Sequence, residues 1–207
     1  MATSIVVISG GLGTPSTSRM LGDQLGRAAA EALAADGVEA EVSVIELRDM
    51  AVDIATTMVA GYAPPRLAEI IEQVGAADAL VAVSPVFTAS VSGLFKSFLD
   101  VLDPTALDGK PVLLAATGGS ARHSMVIDYV MRPIFSYLRA TAVPTGVFAA
   151  PEDWGGDTGS GQLAARVARA GAELARAVQG TSVSAARPDP MESLPFEQLL
   201  ANIEPTG

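Results

Sequence analysis

Short apolar runs rich in β-branched residues alternate along this chain with longer segments whose apolar positions recur every three or four residues. That alternation predicts a parallel sheet with helices on both faces, because strands buried on both sides read as continuous apolar runs. Five strands are expected: Ser4–Ser9, Glu41–Leu47, Ala79–Ser84, Pro111–Thr117 and Val143–Ala149. Between the first two, Leu21, Leu25, Ala28, Ala32 and Leu33 form a helical stripe that Asp36-Gly37 would stop. Further helices are expected over Pro65–Gly75, from Ser92-Gly93 through Leu102, from Arg122 to Arg139 with a kink at Pro133, and over Gln162–Gln179.

Five β/α units suggest an α/β fold of three layers, α/β/α, with a five-stranded parallel sheet in the doubly wound, flavodoxin-like order. In such sheets a ligand sits at the carboxyl ends of the strands, beside the switch in strand order, so chemistry is expected in the loops after strands one, three and four. The composition changes after Gly180 to Pro188, Pro190, Pro195 and Pro205 with Ser and Ala. Residues 1–180 therefore read as one domain and 181–207 as a Pro-rich tail, with a short docking helix expected over Met191 to Ile203.

Composition narrows the chemistry. Apolar residues make 49% of the 207 and charged ones 17%, the balance of a chain that folds on its own. Thirteen Lys and Arg against 23 Asp and Glu give a net charge of −10, a field that repels nucleic acid and anionic lipid. Zero cysteines remove disulfides, iron–sulfur clusters and thiol catalysis, and one histidine leaves no metal site to expect. No run approaches the roughly 20 apolar residues of a membrane span, and no signal peptide is visible, so a soluble cytoplasmic protein is expected.

Ser9-Gly10-Gly11-Leu12-Gly13-Thr14-Pro15-Ser16-Thr17-Ser18-Arg19 joins the first strand to the first helix. Glycines that let N–H groups converge, hydroxyls and a helix N-terminus suit a monophosphate, and they suit a simple helix cap as well. The dinucleotide fingerprint fails because its third glycine position holds Ser16, and no Lys completes a Walker loop. After the third strand, Pro85 fixes a turn, Phe87 offers an apolar face, and Thr88 and Ser90 offer hydroxyls to the edge of a flat ligand. Core packing and capping are the alternative roles there. Gly118-Gly119-Ser120 ends the fourth strand at the same edge, followed by Arg122 and His123, the only imidazole.

Together these blocks resemble the NAD(P)H-dependent FMN reductase family, over roughly residues 4 to 150. The likeness is carried by Ser9-Gly10 with Pro15 to Arg19, by Ser84 through Lys96, and by Ala116 to Ser120 with Ile127-Asp128-Tyr129 and Arg132-Pro133. The resemblance implies that Ser9, Thr14, Ser16, Thr17, Ser18 and Arg19 serve the FMN phosphate. It implies that Pro85, Val86, Phe87, Thr88 and Ser90 run along the flavin ring, and that Gly118, Gly119, Ser120 and His123 lie on the flavin and nicotinamide side. Phe87 stands where many relatives carry Tyr, and the first loop is longer and richer in glycine than in many of them. Tyr129 stands where some relatives carry a tyrosine in a π-bulge at a subunit interface, a regular helix with Tyr129 in the core being the alternative.

The activity implied is reduction of FMN by NADPH or NADH, supplying a flavin-dependent monooxygenase of the luciferase-like, alkanesulfonate type. No catalytic residue is assigned, because hydride transfer asks the protein for positioning. A homodimer or homotetramer is implied. An FMN-retaining quinone or azo reductase and a flavodoxin-type electron carrier are the competing readings.

Overall fold

The computed structural model describes residues 2–155 and 157–183; the expected docking helix lies outside them. The chain runs β1 (Thr3–Ser9), α1 (Thr17–Ala35), β2 (Ala40–Glu46), α2 (Ala51–Ala60), α3 (Pro65–Ala76), β3 (Ala79–Phe87), β4 (Ser90–Val91), α4 (Gly93–Asp100), β5 (Pro111–Thr117), α5 (Arg132–Tyr137), β6 (Thr141–Ala142), β7 (Val147–Ala149) and α6 (Asp157–Val183). Parallel pairing gives the order β2-β1-β3-β5-β6, with β7 also beside β5 and the short β4 folded back antiparallel on β3. This is the doubly wound, flavodoxin-like order, with the switch between β1 and β3.

The central strands are apolar throughout because both of their faces are covered. Val6, Ile8, Leu80, Leu114, Phe95, Phe98 and Phe135 pack on the face under α2–α5. Ile5, Val7, Val81, Leu113, Leu21, Leu25, Leu163 and Leu174 pack on the face under α1 and α6. Alternate residues of one strand thus serve opposite layers, the period-two geometry of a strand.

The expected five-stranded parallel path is present, and among the described residues two short strands, β4 and β7, are added off it. Two expectations need correction. The run expected as one strand over 143–149 is divided into β6 and β7: Pro144 has no N–H to give the ladder, Thr145 N donates to Glu173 at 2.7 Å, and Arg132 donates to the carbonyls of Val143 (3.0 Å) and Pro144. The segment expected as one helix from Arg122 to Arg139 is a 3₁₀ turn at Ala121–His123, a π-helix over Ile127–Met131 and the short α5, ended by Arg139 at φ +57°. Tyr129 lies in that π-helix, 73% exposed rather than in the core. Among the described residues no helix is long and apolar enough to cross a membrane.

Candidate functional site

The loops after β1, β3 and β5 meet at the carboxyl edge. The first leaves β1 with Gly10 N donating to Val83 O at 2.8 Å, which carries it over the end of β3. Ser16 caps α1, its Oγ accepting from Arg19 N at 3.2 Å, and the first turn of this 19-residue helix holds no acidic residue. Its amide end is therefore a site of positive potential with nothing negative on its own turn. The loop closes tightly: a Cβ on Gly11 would stand 2.1 Å from Ser16 Oγ. Ser18 is buried and shares a 2.7 Å hydrogen bond with Thr117, tying the start of α1 to the end of β5.

The second loop is a hairpin held by serines. Buried Ser84 Oγ accepts from Ser92 N at 3.0 Å, while Ser92 Oγ caps α4 by accepting from Phe95 N and donates to Gly10 O at 3.2 Å. Pairing of Val86 with Val91 and Phe87 with Ser90 leaves Thr88 and Ala89 as a two-residue turn at φ +48° and +60°. Positive φ at both positions gives the twist that suits a tight hairpin. The hairpin holds Phe87 at the cleft, 45% exposed.

The third side is Gly118-Gly119 after β5 together with Ala149, Pro151 and Trp154 after β7. Gly118 lies so close to Phe148 that a Cβ would come 2.8 Å from the ring, so bare peptide floors the cleft there. Asp153 fixes the Pro151 turn by accepting from Ala150 N at 2.8 Å, and Arg166 of α6 pairs with Asp153 and donates to Phe148 O at 3.0 Å. Between the three sides lies an open cleft of about 550 Å³.

Of the residues expected to bind, Thr17, Pro85, Val86, Phe87, Gly118 and Gly119 line this cleft. Ser16, Ser18 and Ser120 shape it instead, Ser120 by accepting from Arg122 N. Ser9 Oγ is buried at the end of β1 with no hydrogen-bond partner among the described residues. Ser90 sits in β4, Thr88 at the hairpin tip, and His123 on an exposed turn. Arg19 is turned aside: its guanidinium meets Asp23 at 2.8 Å and Glu46 at 2.9 Å, and the Asp23 hydrogen bond pushes its pKa up. Thr14 is engaged by Arg48. Met20, Ala149, Pro151 and Trp154 are cleft residues that the sequence reading missed. The topology held a signal for the last three, since the loop after the fifth strand ends at the same edge and carries the chain's single Trp.

A family model described as NADPH-dependent FMN reductase matches residues 3–155. An FMN reductase (NADPH) of Pseudomonas aeruginosa is 38% identical over 150 residues, 72% of this chain and 78% of that protein. The NADH-dependent FMN reductase SfnE of Pseudomonas putida is 36% identical over 79% of this chain and 86% of its own length. Among solved structures, an oxidoreductase from Corynebacterium diphtheriae superposes with a TM-score of 0.83 at 47% identity, covering 86% of this chain and 98% of that one.

Proposed function

The chain belongs to the NADPH-dependent FMN reductase family and is an oxidoreductase that reduces FMN with NAD(P)H as donor; we propose that it binds FMN reversibly in the cleft described above and releases the reduced flavin to a flavin-dependent monooxygenase. The observation that carries this reading is the cleft's lining. It is apolar and aromatic on one side, peptide and hydroxyl on the other, and among the described residues none that lines it carries a titratable group. Such a site orders two flat rings and moves no proton of its own.

The residues fit FMN. The α1 amide end, with Ser16 and Thr17 beside it and no acid on its first turn, suits a phosphate. Pro85, Val86 and Phe87 offer a wall to the ring, and a Cβ on Gly119 would meet no protein atom within 4 Å, so the space over this peptide is open. When bound, FMN supplies the acceptor for a hydride from the nicotinamide and carries the electrons onward. Pro85 to Phe87 would exclude water from one face of a bound ring, and the 10–16 loop with the α1 amide end would hold its phosphate. His123, on its exposed turn, has no proton-transfer task in this scheme.

Exposed Tyr129 and Tyr137, on the π-helix and α5, support self-association through that face. Dependence on NAD(P)H supports a cytoplasmic place of action. The test is the initial rate of NADPH and NADH oxidation by purified protein, with and without added FMN. A rate that requires added FMN, and a monooxygenase assay that turns over only when both proteins are present, are expected. Yellow protein that reduces quinones without added flavin would overturn release, and bound flavin with no nicotinamide oxidation would point to an electron carrier.

A further inference from the structure

Beside the cleft, and outside its lining, lies a chain of charges from α1 to the turn after β2. Asp23 holds Arg19 Nε at 2.8 Å, and Arg19 Nη1 donates to Glu46 Oε1 at 2.9 Å. Arg48 Nη2 stands 2.9 Å from Glu46 Oε2, an ion pair that is not aligned as a hydrogen bond, and Arg48 Nε is 3.7 Å from Asp49. The other end of Arg48 reaches the flavin loop: Nη1 donates to Gly13 O at 2.6 Å and to Thr14 Oγ1. One carboxylate, 16% exposed on its side chain, therefore carries two guanidinium groups, and one of these grips the glycine loop from outside.

We propose that Glu46 and Arg48 are positioning residues that hold the 10–16 loop in its phosphate-accepting shape, and so set the preference for FMN over phosphate-free riboflavin. The proposal rests on the reading of this loop as the phosphate end. A loop containing Gly10, Gly11 and Gly13 has many backbone states and loses more entropy than any other composition when it closes around an anion. A guanidinium whose Nη1 bonds the loop's carbonyl and hydroxyl while the charge of Glu46 holds its Nη2 side removes that freedom before the ligand arrives. Lysine offers one point charge at the same place and lacks the planar fork needed to span loop and carboxylate together.

Glu46 gives the discriminating experiment because two accounts predict opposite signs. If Glu46 acts only through its charge, removing a carboxylate near a phosphate site strengthens FMN binding. If it acts through Arg48, removal frees the fork and weakens FMN binding. Emission of the single Trp154, which lines the cleft, reports flavin entry for wild type, Glu46→Ala and Arg48→Lys, titrated with FMN and with riboflavin. Both variants are expected to bind FMN about tenfold more weakly with riboflavin affinity within about twofold of wild type. FMN affinity that is unchanged or higher in Glu46→Ala, or equal weakening of both flavins in the variants, overturns the proposal. Arg48→Lys keeps the charge and supplies the result should Glu46→Ala fail to fold. Wild type that does not prefer FMN to riboflavin would instead overturn the phosphate reading itself, before any variant is compared.

Discussion

The loop after β1 and the loop after β3 lie side by side at the carboxyl edge, joined where Ser92 Oγ donates to Gly10 O, and are otherwise held by different means. The hairpin from Ser84 to Ser92 holds itself: its serines bond each other and its strand pairs close within the same nine residues. The glycine loop from Gly10 to Ser16 is held by its neighbours. Gly10 is fixed by Val83 and Ser92, and Gly13 and Thr14 by Arg48. In its proposed role as a wall for the flavin ring, the hairpin must keep one shape for a rigid ligand, so local closure suffices. In its proposed role as a phosphate cradle, the glycine loop must point several backbone groups at one spot, and a glycine-rich segment reaches that only under outside restraint.

The largest effect that separates the two loops is expected from Gly11→Ala. The added Cβ would stand 2.1 Å from Ser16 Oγ, so either the cap or the loop must move. FMN affinity should fall about 30-fold, equivalent to an overpacking cost of about 2 kcal/mol, with riboflavin affected far less. Parallel titration of both flavins checks it. Equal losses would mean that the two loops form one unit, held by the same contacts.

Of similar size, but read in stability, is Ser92→Ala, which strikes the point where the loops join. It removes the α4 cap and the bond to Gly10 O from a fully buried position. Stability should drop by about 2 kcal/mol, about 1 for the cap and about 1 for the buried bond, read as a lower urea midpoint at constant slope. A loss below about 0.5 kcal/mol would show that water replaces Ser92 at no cost, contrary to its burial.

The same contrast explains what was legible in the sequence. β1, β3 and β5 could be read because both their faces are buried and each gives an unbroken apolar run. The hairpin after β3 could be read as a turn because Ser84-Pro85 and Ser92-Gly93 bracket it locally, while its assignment to the flavin ring rests on the family resemblance. Arg48 and Trp154 could not, since each reaches the site from an element far along the chain. Arg19 was legible as a cation beside the loop, but its guanidinium is turned aside by Asp23, four residues on, and by Glu46, 27 residues away. Helix α2 was missed because Val52 and Val59 are exposed, so its apolar positions follow no single buried stripe. The division of the last strand depends on Pro144, which has no N–H to give the ladder, and on Arg132 of α5, which takes the Val143 and Pro144 carbonyls from another element.

The smallest expected effect, and the one that sharpens the comparison furthest, is Ala89→Gly at the hairpin tip. Ala89 sits at φ +60°, where a Cβ crowds its own backbone, so glycine relieves about 1 kcal/mol in the folded state. Glycine also widens the unfolded ensemble, which offsets part of that gain and leaves a net stabilisation of about 0.5 kcal/mol. The sign is the test: a raised urea midpoint shows that the hairpin keeps its turn without help from the residue at its tip. A lowered midpoint would show that the turn depends on residue identity, and that the hairpin too needs restraint from outside. Flavin affinity should be unchanged, because Thr88 and Ala89 lie beyond Phe87, the last hairpin residue that reaches the cleft. A gain in stability with a loss of flavin binding would mean that the left-handed turn is what presses Phe87 toward the ring. Strain would then be a working part of the wall that local closure was taken to complete.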